Sequence, residues 1–125
     1  MNVTCGTDII EIDRIRNLIE DAKERALNKI FTDLEQEYCE SKGNMKYQHY
    51  AVRFSAKEAI FKAVSNRLKD KFELSWTDVE ILDDQNGRPE VKLINRKIES
   101  LKNIEISLSH CKEYAVATVV AIWEE

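Results

Sequence analysis

Three residues with chemically useful side chains, Asp8, Glu58 and Lys62, lie in two well-defined segments of the sequence. Asp8 stands in "CGTDII", a run of small and apolar residues where an ionised carboxylate is costly unless a cation or several donors compensate it. Glu58 and Lys62 lie one helical turn apart in "RFSAKEAIFKAVS". Two carboxylates and a lysine, without a paired His/Cys set, fit Mg²⁺, which keeps waters and contacts substrate phosphates. The residue types therefore favour phosphate chemistry at a magnesium site.

Each of these residues also has an ordinary structural explanation. Glu58 and Lys62 have the i, i+4 order of a surface pair, which stabilises a helix by roughly 0.3 to 0.5 kcal/mol. Asp8 could simply end a strand at the surface. However, Phe54, Phe61 and the alternating alanines leave little of this helix facing solvent. Its polar residues form one stripe at spacings of three and four, and that stripe could line a cleft: Ser55, Glu58, Lys62 and Ser65.

Two further segments carry residues that could contact a ligand. His110 ends the alternating run Ile104 to His110, where it could contact a phosphate, act as a general acid, or be an edge histidine of the core. The turn "NGRP", formed by Asn86, Gly87, Arg88 and Pro89, is by default a hairpin turn, although its glycine could let backbone approach a ligand. Neither segment decides between these alternatives.

Composition limits the possible classes of protein. A chain of 125 residues with 43% hydrophobic content predicts one domain, residues 1–125, with a single modest core. A net charge of −4 argues against nucleic-acid binding through the overall field, although a local basic patch remains possible. The sequence contains neither GxxxxGK[ST] nor GxGxxG, so neither of those glycine-rich loops holds a phosphate here.

The cysteines and the apolar runs indicate the compartment. Cys5, Cys39 and Cys111 are odd in number and far apart, without a CxxC pair, so we expect reduced thiols in a cytoplasmic protein. Acidic residues interrupt the apolar positions near the N-terminus, which predicts that there is no signal peptide. The longest apolar run, Tyr114 to Trp123, is about half the length of a membrane helix. It predicts a buried strand, not a membrane segment.

The predicted fold is α+β, with three helices packed on a small, largely antiparallel sheet. We expect a first strand in "NVTCGTDIIEI", and one amphipathic helix from Asp13 to about Lys29. A second short helix begins at the capping box of Thr32 and Glu35 and ends near Gly43, and a long one runs from about Tyr47 to Leu68. The remaining predicted elements are the hairpin strands "TDVEILDD" and "PEVKLI", a short helix "NRKIESLK", the strand "NIEISLSH", and the final strand from Tyr114.

Taken together, the ordered motifs resemble the short-chain family of 4′-phosphopantetheinyl transferases, the holo-(acyl-carrier-protein) synthases. The matching segments span nearly the whole chain: "GTDI", Arg14, "FTDLEQEYC", "RFSAKEAIFKA", "NGRP" and "SLSHCKEYAVATV". The block R-F-x-A-K-E-A-x-x-K-A is the most specific, and S-x-S-H-x-x-x-Y-A-x-A is second. The resemblance implies transfer of phosphopantetheine from coenzyme A to a serine of an apo acyl carrier protein, with release of adenosine 3′,5′-bisphosphate and a requirement for Mg²⁺.

The resemblance also implies roles for individual residues. Asp8 and Glu58 would bind the metal, and Lys62 and His110 would approach the coenzyme A phosphates. Arg53 would support that site, and Arg14 with its helix would meet the acidic recognition helix of the carrier. The remaining residues expected near coenzyme A are those of the turn and of the histidine motif: Asn86, Gly87, Arg88, Pro89 and Ser109. The proton of the attacking serine would go to Glu58 or to a water on the metal ion.

One segment departs from the family pattern. Where a glycine-rich F-G-T-G-I stretch is usual, the chain has "VSNRLKDKF", Val64 to Phe72, without a glycine. We therefore expect the long helix to continue further here and to change the shape of the nucleotide pocket beside it.

Two rival functions and an oligomeric state complete the expectations. The rivals are a non-enzymatic module that binds coenzyme A or a carrier, and a Mg²⁺-dependent enzyme that acts on another nucleotide. The family is typically a homotrimer with shared sites, and the nearly all-apolar final strand offers more hydrophobic surface than helices on one face would cover. We therefore expect a closed trimer.

Overall fold

The computed structural model describes residues 2–70 and 73–124. The helices are α1 (Ile12–Ala22), α2 (Glu24–Ile30), α3 (Asp33–Glu40) and α4 (Lys46–Val64). The strands are β1 (Asn2–Glu11), β2 (Val79–Asp83), β3 (Pro89–Leu93), β4 (Leu101–His110) and β5 (Tyr114–Trp123). Single 3₁₀ turns occur at Gly43–Met45, Ser65–Arg67 and Trp76–Asp78. Within the described ranges, no helix has the length and apolar character needed to cross a membrane.

The strands form two antiparallel sheets. β5 lies between β1 and β4 in the larger sheet, while β2 and β3 form a separate hairpin that lies beside β4. Asp8 is opposite Ala117, which in turn is opposite Leu108, so the three strands share a row at this point. The predicted α+β fold with antiparallel strands is confirmed.

Helix α4 packs across the inner face of the larger sheet because both surfaces carry small side chains. Ala56, Ala59 and Ala63 of the helix are buried, as are the alanines of β5. At Gly6 a Cβ atom would overlap the Ala59 carbonyl oxygen, so β1 can approach the helix this closely only with glycine. This close contact fixes the position of Asp8, two residues further along the strand, relative to α4.

The first predicted helix, Asp13 to Lys29, is wrong as a single element. The chain breaks at Lys23, whose φ of 50° lies outside the right-handed helical region, and α2 then starts in a new direction. This redirection buries Ala26 and Ile30. A lysine gives no sequence signal for such a break. By contrast, the capping box of Thr32 and Glu35 is present as predicted at the start of α3.

Two other predicted helices also differ from the structure. The segment "NRKIESLK" is not helical, because Ser100 has a φ of 67° and Leu101 already begins β4. Its one buried apolar side chain, Ile98, anchors it to the core instead. Helix α4 ends at Val64 and one 3₁₀ turn follows, so the predicted continuation to Leu68 is wrong. Lys71 and Phe72, at the end of the glycine-free stretch, lie outside the described residues.

Candidate active site

Asp8 lies on the inner face of β1, where two side chains of α4 compensate its charge. The Ser55 hydroxyl lies 3.0 Å from Asp8 Oδ2 and 2.9 Å from the Asp8 carbonyl oxygen. The Lys62 ammonium lies 3.3 Å from Asp8 Oδ1 and donates to the Thr7 carbonyl oxygen at 2.9 Å. The Asp8 side chain is 16% exposed, which leaves room for a further ligand. The Asp8 carboxylate is therefore fixed in position and remains accessible to solvent or a ligand.

Glu58 is half-buried beside Asp8. Burial raises the pKa of the Glu58 carboxyl, the nearby Asp8 carboxylate raises it further, and Lys62 opposes the shift. No hydrogen bond reaches this carboxylate from the described part of the chain. Two neighbouring carboxylates, one of them without a donor, provide an incomplete cation site whose remaining ligands would be waters and substrate oxygens. This donor set fits Mg²⁺, which is usually held by one or two carboxylates.

The same carboxylates border a groove of about 470 Å³ between β1, α1 and α4. Arg14 lines it from α1, and Phe54 lines it from α4. Arg14 is exposed, whereas Arg16 forms an ion pair of 2.7 Å with Asp13. Arg14 therefore lies at the edge of the candidate metal site. No carboxylate of α1, which is described in full, forms an ion pair with it.

Arg53 lies in a different part of the molecule. Its side chain is 2% exposed, and its guanidinium donates to the Ile81 carbonyl oxygen at 3.0 Å and lies 4.3 Å from the centroid of the Tyr38 ring. The Tyr38 hydroxyl donates to Asp83, whose carboxylate also lies 3.9 Å from Arg53. These contacts join α3, α4 and β2. The direct role of Arg53 in this structure is to hold those elements together, and its expected support of a phosphate site stays a prediction.

His49 lies next to this arginine, which donates to its carbonyl oxygen at 3.4 Å, and the rings of His49 and His110 have centroids 6.1 Å apart. The predicted residue His110 is exposed at the end of β4. Its neighbour Ser109 is paired with Val116 and faces the outer side of the sheet, because successive side chains of a strand point to opposite faces. The structure therefore does not bring Ser109 to the same face as His110.

The predicted turn closes the β2–β3 hairpin. The Asp84 carboxylate accepts from the backbone N–H groups of Asn86 and Arg88, and Gly87 has a φ of 78°. Asn86 does not have positive φ, so the turn is not of type I′, and residues 84–88 separate β2 from β3. Arg88 and Pro89 line a polar groove along Asn103 to Ile106 of β4. The turn remains an exposed surface that could contact a ligand.

The predicted residues thus fall into two groups on opposite sides of α4. Arg53 and Lys62 are nine positions apart in the sequence, which is about two and a half turns, so their side chains leave the helix in opposite directions. One group contains Asp8, Glu58, Lys62 and Arg14. The other contains Arg53, His110 and the nearby hairpin.

Sequence reasoning missed two important side chains of α4. Lys57 is fully buried, and its ammonium donates to Glu35 and to the Ile30 carbonyl oxygen, both at 2.7 Å. His49 contacts Tyr38 and His110 through its ring. The spacing of Lys57 between alanines could have indicated burial, whereas His49 gave no signal because its partners come from α3 and β4.

Comparisons with known proteins agree with this arrangement of motifs. The profile of the 4′-phosphopantetheinyl transferase superfamily matches residues 4–119. The holo-(acyl-carrier-protein) synthase of Ruminiclostridium cellulolyticum is 43% identical over 125 residues, which cover 96% of this chain and 92% of the relative. The chain is thus similar to a curated protein over almost its whole length.

Solved structures have the same fold. A holo-(acyl-carrier-protein) synthase from Bacillus anthracis, in complex with CoA (3′,5′-ADP), is 33% identical, with a TM-score of 0.77 over 94% of both chains. The Helicobacter pylori enzyme in complex with coenzyme A is 28% identical, with a TM-score of 0.82 over 94% of this chain and 99% of that one. The resemblance inferred from the motifs is confirmed. The chain belongs to the 4′-phosphopantetheinyl transferase superfamily.

Proposed function

We propose that the chain is a holo-(acyl-carrier-protein) synthase, which transfers 4′-phosphopantetheine from coenzyme A to a serine of an apo acyl carrier protein. The products are the holo carrier and adenosine 3′,5′-bisphosphate. The observation that carries the proposal is that Asp8 and Glu58 line one groove and that Lys62 forms an ion pair with Asp8. The relatives named as holo-(acyl-carrier-protein) synthases support the choice of acceptor.

We assign Asp8 and Glu58 as the residues that hold Mg²⁺. The ion, when bound, would neutralise charge on the pyrophosphate that is cleaved. The carboxylate pair agrees with this assignment, because repulsion from Asp8 and burial both disfavour an ionised Glu58 in the absence of a cation. Ser55 orients Asp8 by donating to Oδ2. Fixed orientation keeps the carboxylate ready for its ligand.

Lys62 supplies the second positive charge. Its side chain is 54% exposed, and its ammonium is held beside Asp8 by the Asp8 carboxylate and the Thr7 carbonyl oxygen. In this position it would contact phosphoryl oxygens and stabilise the negative charge that the transferred group carries in the transition state. The proton of the attacking serine would go to Glu58 or to a water on the metal ion.

The second group of residues would come from a neighbouring chain. His110 and the hairpin turn lie on the far side of α4, so they would reach the same coenzyme A only across an interface between subunits. The outer face of the larger sheet is suited to such an interface, because Val3 and Ile9 are 53% and 65% exposed, and Val116 and Val120 beside them on β5 are only partly buried. We therefore propose a homotrimer with shared sites.

The carrier would approach along α1. Arg14 borders the groove that contains the metal-binding carboxylates, so an acidic helix that contacts Arg14 would bring its neighbouring serine towards Asp8 and Glu58. A holo carrier is required for fatty acid biosynthesis, and we propose that the enzyme supports this pathway in the cytoplasm. The unpaired state of all three cysteines agrees with that compartment.

The proposal is tested by incubating the protein with Mg²⁺, coenzyme A and an apo acyl carrier protein, and measuring the mass of the carrier. The expected result is one added phosphopantetheine group per carrier and an equal amount of adenosine 3′,5′-bisphosphate, both dependent on Mg²⁺. Release of the nucleotide without the carrier would instead indicate hydrolysis. Binding of coenzyme A without any transfer would indicate a non-enzymatic module, and either result would overturn the proposal.

A further inference from the structure

Both oxygens of the Asp8 carboxylate are contacted by side chains of α4, and the two contacts differ in kind. Oδ2 lies 3.0 Å from the hydroxyl of Ser55, which is fully buried. Oδ1 lies 3.3 Å from the ammonium of Lys62, whose side chain is 54% exposed. A buried hydroxyl is held close to its helix, whereas an ammonium on a flexible four-carbon stem can move away. The Lys62 contact is therefore the one that a ligand can replace.

Lys62 also interacts with the second carboxylate of the candidate metal site. Glu58 precedes it by one turn of α4, and the Lys62 charge opposes the rise that burial and Asp8 cause in the pKa of Glu58. One ammonium thus compensates both carboxylates. Asp8 and Glu58 are the residues assigned to Mg²⁺, so the lysine and the metal ion compensate the same negative charges.

The two cations cannot both contact Asp8 Oδ1 without repulsion. Mg²⁺ binds carboxylate oxygens at about 2.1 Å, which is closer than the Lys62 ammonium lies to Oδ1 at 3.3 Å. Positive charges this close repel each other, and more strongly in a partly buried site than in bulk water. The Thr7 carbonyl oxygen, at 2.9 Å, still accepts from Lys62 when the contact with Asp8 is lost. Departure from Asp8 therefore does not leave the ammonium without an acceptor.

We propose that Lys62 is an exchange group: Mg²⁺ displaces its ammonium from Asp8, and the displaced ammonium then binds a phosphoryl oxygen of coenzyme A. This inference rests on the proposed function and adds a coupling between its two ligands. Before the metal ion binds, Lys62 must break its contact with Asp8 to reach phosphate. Once phosphate holds Lys62, Oδ1 has no competing cation. Each ligand therefore strengthens binding of the other, and by linkage the gain in affinity is the same in both directions.

A simpler role, in which Lys62 only contacts phosphate, gives a different expectation. Loss of the ammonium would then weaken coenzyme A binding and leave the affinity for a metal ion alone unchanged. In the exchange role, the same loss also weakens coenzyme A binding but strengthens binding of the metal ion alone. The direction of the effect on metal affinity therefore separates the two roles.

The test measures the affinity for Mn²⁺, as a spectroscopic substitute for Mg²⁺, from the electron paramagnetic resonance signal of the free ion. The proteins are the wild type, Lys62→Met, Lys62→Arg and the control Lys97→Met, which removes an exposed lysine from the loop before β4. Thermal unfolding establishes that they are folded. Lys62→Met should bind Mn²⁺ alone about tenfold more tightly than the wild type, the scale of one charge-assisted contact. Lys62→Arg keeps the competing charge, so it and Lys97→Met should stay close to the wild type.

The coupling is measured by repeating the titrations with coenzyme A, after subtraction of the Mn²⁺ that coenzyme A binds without protein. Coenzyme A should raise the Mn²⁺ affinity of the wild type, and this enhancement should be about tenfold smaller in Lys62→Met. Titrations at about 0.05 M and about 0.5 M potassium chloride separate direct contact from repulsion at a distance, because salt screens distant exposed charges. The difference between the wild type and Lys62→Met should persist at the higher concentration.

The possible results separate the inference from the proposed function. Equal Mn²⁺ affinities of the wild type and Lys62→Met would show that the ammonium does not compete with the metal ion, and would overturn the inference. Tighter Mn²⁺ binding in Lys62→Met would also overturn it if coenzyme A enhanced both proteins equally, or if the difference disappeared at high salt. Any of these results, together with normal transfer by the wild type, would leave the proposed function standing. A wild type that binds neither Mn²⁺ nor coenzyme A would overturn both.

Discussion

At the scale of single residues, Asp8 illustrates how a charged side chain is kept in an apolar strand. One carboxylate oxygen lies 3.0 Å from the Ser55 hydroxyl and the other 3.3 Å from the Lys62 ammonium, so the cost of removing the charge from water is partly offset. No donor from the described residues reaches Glu58, and its pKa is raised by burial. The site is therefore best suited to a state in which a cation lies between the two carboxylates.

The first prediction removes each of these charges separately. Asp8→Asn and Glu58→Gln should lower the rate of phosphopantetheine transfer by at least about a hundredfold, because each removes a cation ligand while keeping the shape of the side chain. The rate is measured by the mass of the carrier at saturating coenzyme A. Their melting temperatures should stay close to that of the wild type.

Glu99→Gln is the matched control for this prediction, because it neutralises an exposed carboxylate in the loop before β4. It should transfer at the rate of the wild type. Full activity in Asp8→Asn or in Glu58→Gln would exclude that residue as a metal ligand.

At the scale of elements, a buried ion pair holds α4 in place. Lys57 donates to Glu35 of α3, to the Ile30 carbonyl oxygen, and to the Trp76 carbonyl oxygen at 2.9 Å. The other Glu35 oxygen accepts from the backbone N–H of Ile81 in β2 at 2.8 Å. The pair therefore connects α3, α4 and β2 by hydrogen bonds that are buried away from water.

The second prediction concerns this pair. Lys57→Met should lower the free energy of unfolding by about 3 to 5 kcal/mol, because it leaves the Glu35 charge buried without its partner. The exposed pair of Arg16 and Asp13 is the control, since Asp13→Asn should change stability by no more than about 1 kcal/mol. Urea unfolding measures both values. Equal losses in the free energy of unfolding would show that the buried pair stabilises the fold no more than an exposed pair does.

The elements that the sequence predicted correctly are those with a local signal. The alternation in β4, the apolar run of β5 and the capping box of α3 each follow from residues within one segment. The failures depend on distant contacts: the break at Lys23 follows from the burial of α2, and the loop 94–100 is held by Ile98 in the core. Such tertiary contacts override local helix propensity.

The candidate site was predictable to the same extent. Asp8, Glu58 and Lys62 were predicted because a charge stands out in an apolar strand or on a helix with alanine neighbours. The contacts of His49 were not predicted, and neither was the separation of the predicted residues by α4. Both depend on how α4 crosses the sheet between β1 and β4. Sequence spacing gives the direction of a side chain from its own helix, but not which strand lies opposite.

At the scale of the whole molecule, the third prediction concerns encounter with the carrier. The chain has a net charge of −4, so attraction of an acidic carrier must come from a local basic surface on α1. Arg14→Glu should raise the apparent KM for the carrier by about tenfold or more, leave coenzyme A affinity nearly unchanged, and make the remaining rate less sensitive to salt.

Lys97→Glu makes the same change of charge in an exposed loop away from α1, and it should leave the KM for the carrier nearly unchanged. Steady-state kinetics at two salt concentrations measure both variants. If Arg14→Glu weakens coenzyme A binding as much as carrier binding, Arg14 belongs to the nucleotide site instead.

The outer face of the larger sheet bears on the oligomeric state. Along β1 and β5 it presents Val3 opposite Ile122 and Ile9 opposite Val116, all at least partly exposed in the single chain. The corresponding positions of β4 are polar. A strip of this kind is apolar enough to be covered by another subunit, and its burial would be largely insensitive to salt.

The last prediction combines this interface with the division of the site. If Glu58 of one chain and His110 of its neighbour serve the same coenzyme A, then Glu58→Gln and His110→Ala should each be inactive alone but should complement each other when they are unfolded and refolded together. In an equal mixture, about a quarter of the interfaces would combine the intact half of each variant, so about a quarter of the wild-type activity should return. Light scattering at micromolar concentration should give the mass of three chains in every sample. A fully active monomer would contradict both the trimer and the shared site, whereas a trimer without complementation would retain the assembly and contradict the shared site, because each chain would then have to supply both groups itself.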